Sequence, residues 1–345
     1  MAYTTIDDPT KFFNTLLYAG NSSADHSITG VGFQPDWVWI RERDASNHHI
    51  YVDAVRGATK YLLGNDAQAE VTSSNYVSSL DSDGFTLGSD PGVNRGSMVA
   101  WNWLAGGSAS SNSNGSITSS VSVNTTAGFS IVSYTGNSTS GATVGHGLSS
   151  APKFVIGKAR NTGGEDWFTG NASSGFNKYI KINSDHAAQT FSGVFNDTAP
   201  SSTVVTLGNN GIANSSSYNY IMYCFSEVKG YSKIGGYTGN GNADGIFVYT
   251  GFRPAWVIIK KSSGTNEWAI WDNKRSTFNV TDDIIYANLT NTEASNNSNG
   301  LDFVSNGFKI RASGDLFNAN GGSYIYMAFA ESPFVNSNGI PNNAR

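Results

Sequence analysis

Tyr18-Ala19-Gly20-Asn21 recurs as Tyr134-Thr135-Gly136-Asn137 and again as Tyr237-Thr238-Gly239-Asn240, and the fold is decided by that recurrence. Behind each copy a proline opens an apolar run: Pro35 before Trp37-Val38-Trp39-Ile40, Pro152 before Phe154-Val155-Ile156, and Pro254 before Trp256-Val257-Ile258-Ile259. Further on, Gly84-Phe85-Thr86-Leu87-Gly88 corresponds to Val204-Val205-Thr206-Leu207-Gly208 and to Gly307-Phe308-Lys309-Ile310-Arg311. Each copy closes on aromatic residues: Val99-Ala100-Trp101-Asn102-Trp103, then Ile221 to Phe225, then Tyr324 to Phe329. Four anchors kept in order make an internal repeat, and its period, a little over one hundred residues, is that of a whole domain.

Short runs of Val, Ile, Tyr, Trp and Phe alternate with Gly, Asn, Ser and Thr, and no segment sustains the apolar spacing of a helix. The expectation is an all-β chain of three tandem, diverged β-sandwich repeats with jelly-roll-like connectivity. The expected boundaries are 1–107, 117–229 and 230–335, with 336–345 as a C-terminal tail. The Gly/Ser/Asn stretch 108–116 reads as a flexible linker that makes copy one separable, whereas Glu227-Val228-Lys229-Gly230 is short enough to hold copies two and three as a rigid pair. Short helical turns are expected at 9–14 and 56–63.

Composition narrows the function classes. Only 14% of residues are charged, the net charge is -5, and no basic stripe interrupts the sequence, which speaks against a nucleic-acid partner. No stretch approaches the run of apolar residues that crosses a bilayer, so membrane insertion is not expected. Met1 to Pro9 lack the pattern of a secretory leader, and the single cysteine, Cys224, lies in an apolar run and reads as a buried thiol.

No GxSxG, HExxH, CxxC or Walker motif is present, so no catalytic, cofactor or metal residues are assigned and the chain is not expected to be an enzyme. His48-His49 near Asp53 reads as a half-exposed turn, because Trp167 and Trp268 occupy the place of His49 in the other copies. Asp81-Ser82-Asp83-Gly84 has the start of a calcium loop, but the third copy places Asn306 where Asp83 stands, which suits a tight turn. One charged pair recurs: Asp53 with Arg56, and Asp272 with Arg275, expected to staple a turn through charge-assisted hydrogen bonds. By its offset from Pro152 the second copy has Gly170 at that place and lacks the pair.

With the repeat in view, the chain resembles the repetitive β-rich structural proteins of marine tailed bacteriophages. The resemblance rests on the Tyr-x-Gly-Asn turn, on Gly32-Phe33-Gln34-Pro35-Asp36-Trp37-Val38-Trp39-Ile40, on Val52-Asp53-Ala54-Val55-Arg56-Gly57, on Asp83-Gly84-Phe85-Thr86-Leu87-Gly88, and on Trp101-Asn102-Trp103. It implies a virion protein made in the host cytoplasm, of the tail fibre or appendage type, contacting other virion proteins as a homo-oligomer and engaging a host-surface glycan. The alternative is a head decoration or scaffold protein without a receptor. Amides and aromatic faces suit sugars, which makes Asn47, His48, Tyr51, Trp167 and Trp268 the candidate surface-binding residues.

Overall fold

The computed structural model describes residues 3–295 and 299–343; residues 1–2, 296–298 and 344–345, which belong to copy one, copy three and the tail as bounded above, lie outside the described residues. The chain is all-β, with antiparallel pairing between its named strands. In the first copy Phe13–Ala19 pairs with the closing strand Ser97–Trp103, which on its other side pairs with Trp37–Glu42. Ile50–Asp53, Lys60–Leu63 and Val71–Thr72 continue that sheet as a meander. A small sheet of His26–Thr29, Gly84–Leu87 and Val77–Asp81 covers one face. First strand with last and second with penultimate is the nesting of a jelly roll. From the third strand to the sixth the chain stays in the large sheet before Val77–Asp81 and Gly84–Leu87 return to the small one, so the middle of the copy is a meander where a jelly roll would alternate between sheets.

The same pairings return in the other copies. Phe129–Thr135, Asn219–Phe225, Phe154–Ala159 and Phe168–Asn171, extended by Ser119–Asn124 and Ser110–Asn112, form the second large sheet, and Ser232–Thr238, Ser323–Pro333, Phe252–Lys261, Trp268–Asp272, Asp283–Tyr286 and Ala294–Ser295 the third. Trp37 faces Trp103, Phe154 faces Phe225 and Trp256 faces Phe329, which fixes the equivalence of positions across copies.

Antiparallel sheets with one wet face alternate polar with apolar residues; these do not, because both faces are covered. One face of each large sheet packs on its own small strands in a core of its own. The opposite faces of all three meet in a single aromatic core. There Trp37 stacks on Trp103 and on Tyr223 of the second copy, both at 4.4 Å between ring centroids, and Trp103 meets Trp256 of the third at 5.7 Å. Each such fully buried side chain contributes about 1.5–3 kcal/mol.

The Tyr-x-Gly-Asn signature has a structural cause. Short helices Pro91–Asn94, Gly211–Asn214 and Asp315–Asn318 each end on an asparagine with no exposed surface. Asn94 Oδ1 accepts the Asn21 N–H and Asn94 Nδ2 donates to Gly88 O and Ser23 O; Asn214 and Asn318 repeat this with Asn137 and Asn240. The tyrosine hydroxyls of Tyr18, Tyr134 and Tyr237 donate to the carbonyls of Val93, Ala213 and Phe317. Glycine is required between them, since a Cβ on Gly20 would sit 2.1 Å from the Arg95 nitrogen.

Two local expectations are corrected. The stretch read as a linker is built into the fold: Ser110–Asn112 is an edge strand on Ser119–Asn124, and the Ala105 and Gly107 N–H groups donate to Asp36 Oδ2. Gly, Ser and Asn suit an exposed edge as well as a tether, and composition alone does not separate the two. The helical turn at 9–14 is confined to Pro9–Lys11, and 56–63 is a turn leading into Lys60–Leu63. At the other end of the copies, the N-terminal segment crosses to the third copy and to Lys229, which the strand register places at the head of that copy, one residue before the boundary expected from the sequence. Thr4 Oγ1 donates to Lys229 O at 2.8 Å, Tyr3 OH donates to Gly251 O at 2.9 Å, and the Ser337 N–H from the tail donates to Asp7.

Candidate functional site

The residues singled out from the sequence do not form a surface patch. Tyr51, Trp167 and Trp268 are buried in the aromatic core, because Tyr51 and Trp268 lie on strand faces that point at the neighbouring copies and Trp167 directly precedes the equivalent strand Phe168–Asn171. Asn47 and His48 are half-buried and held by neighbours, Asn47 Nδ2 donating to Glu42 and His48 pairing with Asn65 at 3.3 Å. His49 is not part of a half-exposed turn; it has no exposed surface. Asp83 accepts the N–H groups of Gly30 and Gly32, and Asp81 accepts from the Thr86 hydroxyl, so both are engaged in local hydrogen bonds. Among the described residues no group of three His, Cys, Asp or Glu side chains is placed to hold a metal ion. Burial pushes the Cys224 thiol well up.

What the structure does bring together is a set of joints between copies. Trp167 Nε1 donates to Leu63 O at 2.8 Å, Trp268 Nε1 donates to Lys181 O at 2.9 Å, and His49 Nε2 meets Tyr286 O at 3.0 Å. These are three equivalent donors on three equivalent carbonyls, running from copy two to one, three to two, and one to three. The ring is closed. Trp39 Nε1 donates to His49 Nδ1, which leaves the proton on Nε2 and makes the imidazole neutral. Burial and the Arg41 charge hold its pKa well below 6.5.

A second rung consists of cations. Lys158 Nζ donates to Ala67 O, Lys260 Nζ to Asp185 O, and Arg41 to Thr290 O and Asn291 O, again each on the next copy around the ring. All three side chains are buried. Burial lowers both lysines to about 8 and the arginine to about 10. In a third rung the backbone N–H groups of Glu70, Ala188 and Glu293 donate to the carbonyls of Arg160, Ser262 and Arg43.

Charge then distinguishes the joints. Between copies two and one, Arg160 pairs with Glu70, Glu70 with Arg56, and Arg56 with Asp53, whose Oδ2 also accepts the Tyr223 hydroxyl at 2.8 Å. Between copies one and three, Arg43 pairs with Glu293, Glu293 with Arg275, and Arg275 with Asp272 at 2.6 Å, which accepts the Trp101 indole N–H. Burial pulls Arg56 and Arg275 down, but the adjacent carboxylates more than offset it and both are held above the ordinary arginine value. Between copies three and two the corresponding residues are Ser262, Ala188, Ser174, Asn171 and Met327. Five positions lose their charge or donor together. The register Phe154 opposite Asn171 makes Asn171, not Gly170, the counterpart of Asp53.

This arrangement defines a pseudo-threefold all-β ring in which shared polar chemistry serves cohesion. The chain belongs to the family described as a domain of unknown function, DUF7483, which it matches over residues 8–333 and thus across all three copies. No curated protein and no solved structure matches it.

Proposed function

We propose that the protein is a non-catalytic structural component of a bacteriophage particle, a tail-associated fibre or appendage piece that faces the host surface. The closed ring is the observation that carries this reading: three copies in one chain adopt the mutual arrangement that separate subunits of symmetric assemblies adopt. The polar side chains that recur from copy to copy are buried inside each copy or at the joints between copies, which favours a rigid body whose outward chemistry is left to Asn, Ser and Thr. Its partners are other virion proteins, further copies of itself and a host glycan. A second reading, head decoration or scaffolding, is favoured by the burial of Tyr51, Trp167 and Trp268, which removes the residues first suited to a receptor. Antibody labelling of intact particles, imaged by electron microscopy, tests both. Label on the tail is expected; label over the head selects the second reading, and absence from purified particles overturns the virion assignment.

A further inference from the structure

The third copy departs from the other two along one stretch of surface. By the registers of Phe13 with Trp103, Phe129 with Phe225 and Ser232 with Phe329, Lys229 replaces Thr10 and Thr126, and Lys233 replaces Asn14 and Ser130. On the small sheets, Phe247 replaces Ser27 and Thr143, and Tyr249 replaces Thr29 and Gly145. Adjacent exposed aromatic side chains mark contact surfaces where isolated ones do not, and Phe247 and Tyr249, two residues apart on one strand, are 47% and 53% exposed.

Charge and ring meet in one place. Tyr3, Glu227, Lys229, Ser232, Lys233 and Tyr249 line a solvent-open cleft of about 320 Å³. Glu227 is shared between Lys153 at 2.5 Å and Lys233 at 3.1 Å. The Lys229 ammonium lies 4.4 Å from the centroid of the Tyr3 ring and, among the described residues, has no carboxylate at ion-pair distance. Three ammonium groups thus stand against one carboxylate in a chain whose overall charge is -5. The Tyr3 and Tyr249 hydroxyls are hydrogen-bonded at 3.1 Å, which orients the Tyr249 ring at the cleft edge.

We propose that this cleft binds a carboxylate-bearing saccharide, with the carboxylate on Lys229 and Lys233 and a sugar ring on the exposed face of Tyr249. An inorganic anion needs only the lysines and a neutral sugar only the ring, whereas a charged sugar uses both. Phe247, two residues back on the same face, lies about 7 Å further along and extends the platform. The proposal deepens the host-surface reading and rests on it.

Isothermal titration calorimetry of the full chain with a galacturonate hexamer tests it, with the methyl-esterified hexamer and inorganic polyphosphate as comparisons. The hexamer is expected to bind, its methyl ester at least tenfold more weakly, and Lys229→Gln and Tyr249→Ser each to weaken the hexamer at least tenfold. Both side chains are exposed, so both variants are expected to melt with the parent protein. No binding of the hexamer, equal binding of the ester or of polyphosphate, or unchanged affinity in both variants overturns the proposal. Such a failure, alongside successful labelling of particles, leaves the virion reading standing.

Discussion

The indole N–H of Trp101 donates to Asp272 Oδ2 at 3.0 Å, across the joint between the first and third copies. Tyr223 OH does the same for Asp53 at 2.8 Å, and Met327, the third member of the set, has no proton to donate and faces the copy that carries Asn171. A buried carboxylate needs a cation or several hydrogen-bond donors around it. The acid is therefore kept where arginine and an aromatic donor accompany it and is a neutral amide where they are absent.

Removal of one partner should cost more than removal of a donor. Asp272→Ala leaves the buried Arg275 guanidinium with Glu293 as its remaining carboxylate and should lower stability by about 3 kcal/mol. Trp101→Phe keeps the ion pair and should cost about 1–2 kcal/mol. Chemical denaturation of both variants checks the order, and an unchanged melting temperature for Asp272→Ala refutes the staple.

The uncharged joint makes the converse test. Asn171→Asp introduces a buried carboxylate opposite Met327, with Ser174 where the other copies carry Arg56 and Arg275, and should destabilise by about 3 kcal/mol. Adding Ser174→Arg should restore at least half of that loss. A silent Asn171→Asp would separate the charge pattern from stability.

The repeat, the all-β class and the recurring Asp and Arg residues were legible because each leaves a mark at a fixed place in every copy. The joints were not, since their acceptors are backbone carbonyls such as Leu63 O and Lys181 O, which any residue supplies. Trp167 and Trp268 looked suited to a ligand because aromatic rings fill cores and binding faces alike; only the closure of the ring turns them inward. Counting from Pro152 places Gly170 against Asp53, and the strand register moves the match by one residue to Asn171. The cleft at Tyr249 was hidden because Tyr3 reaches it from the opposite end of the sequence.

His49 should make the protein acid-sensitive. Its folded pKa lies well below 6.5, so below pH 6.5 the unfolded chain takes up a proton that the folded chain refuses, and stability falls as pH falls. The contribution is about 1.4 kcal/mol for each pH unit under 6.5, down to the folded value. Denaturation midpoints from pH 7 to pH 5 should drop more steeply for the parent protein than for His49→Gln, whose amide can bond both Trp39 and Tyr286; parallel profiles would discard this role.

Lys158 and Lys260 should act in the alkaline range. Each falls from 10.5 to about 8 on burial, against weaker support from Asp66, Glu165 and Asp166 for Lys158, and from Asp185 and Glu267 for Lys260. Between those values the unfolded chain holds more protons, so stability rises with pH, by at most about 3 kcal/mol per lysine. Above about pH 10 the sign reverses, because burial holds Tyr134 and Tyr237 protonated while the unfolded chain's tyrosines ionise. The stability maximum is therefore expected at about pH 9–10, and Lys158→Met with Lys260→Met should flatten the rise between pH 7.5 and 9.5. A parent profile already flat across that interval would mean that the carbonyls of Ala67 and Asp185 fully compensate the buried charge.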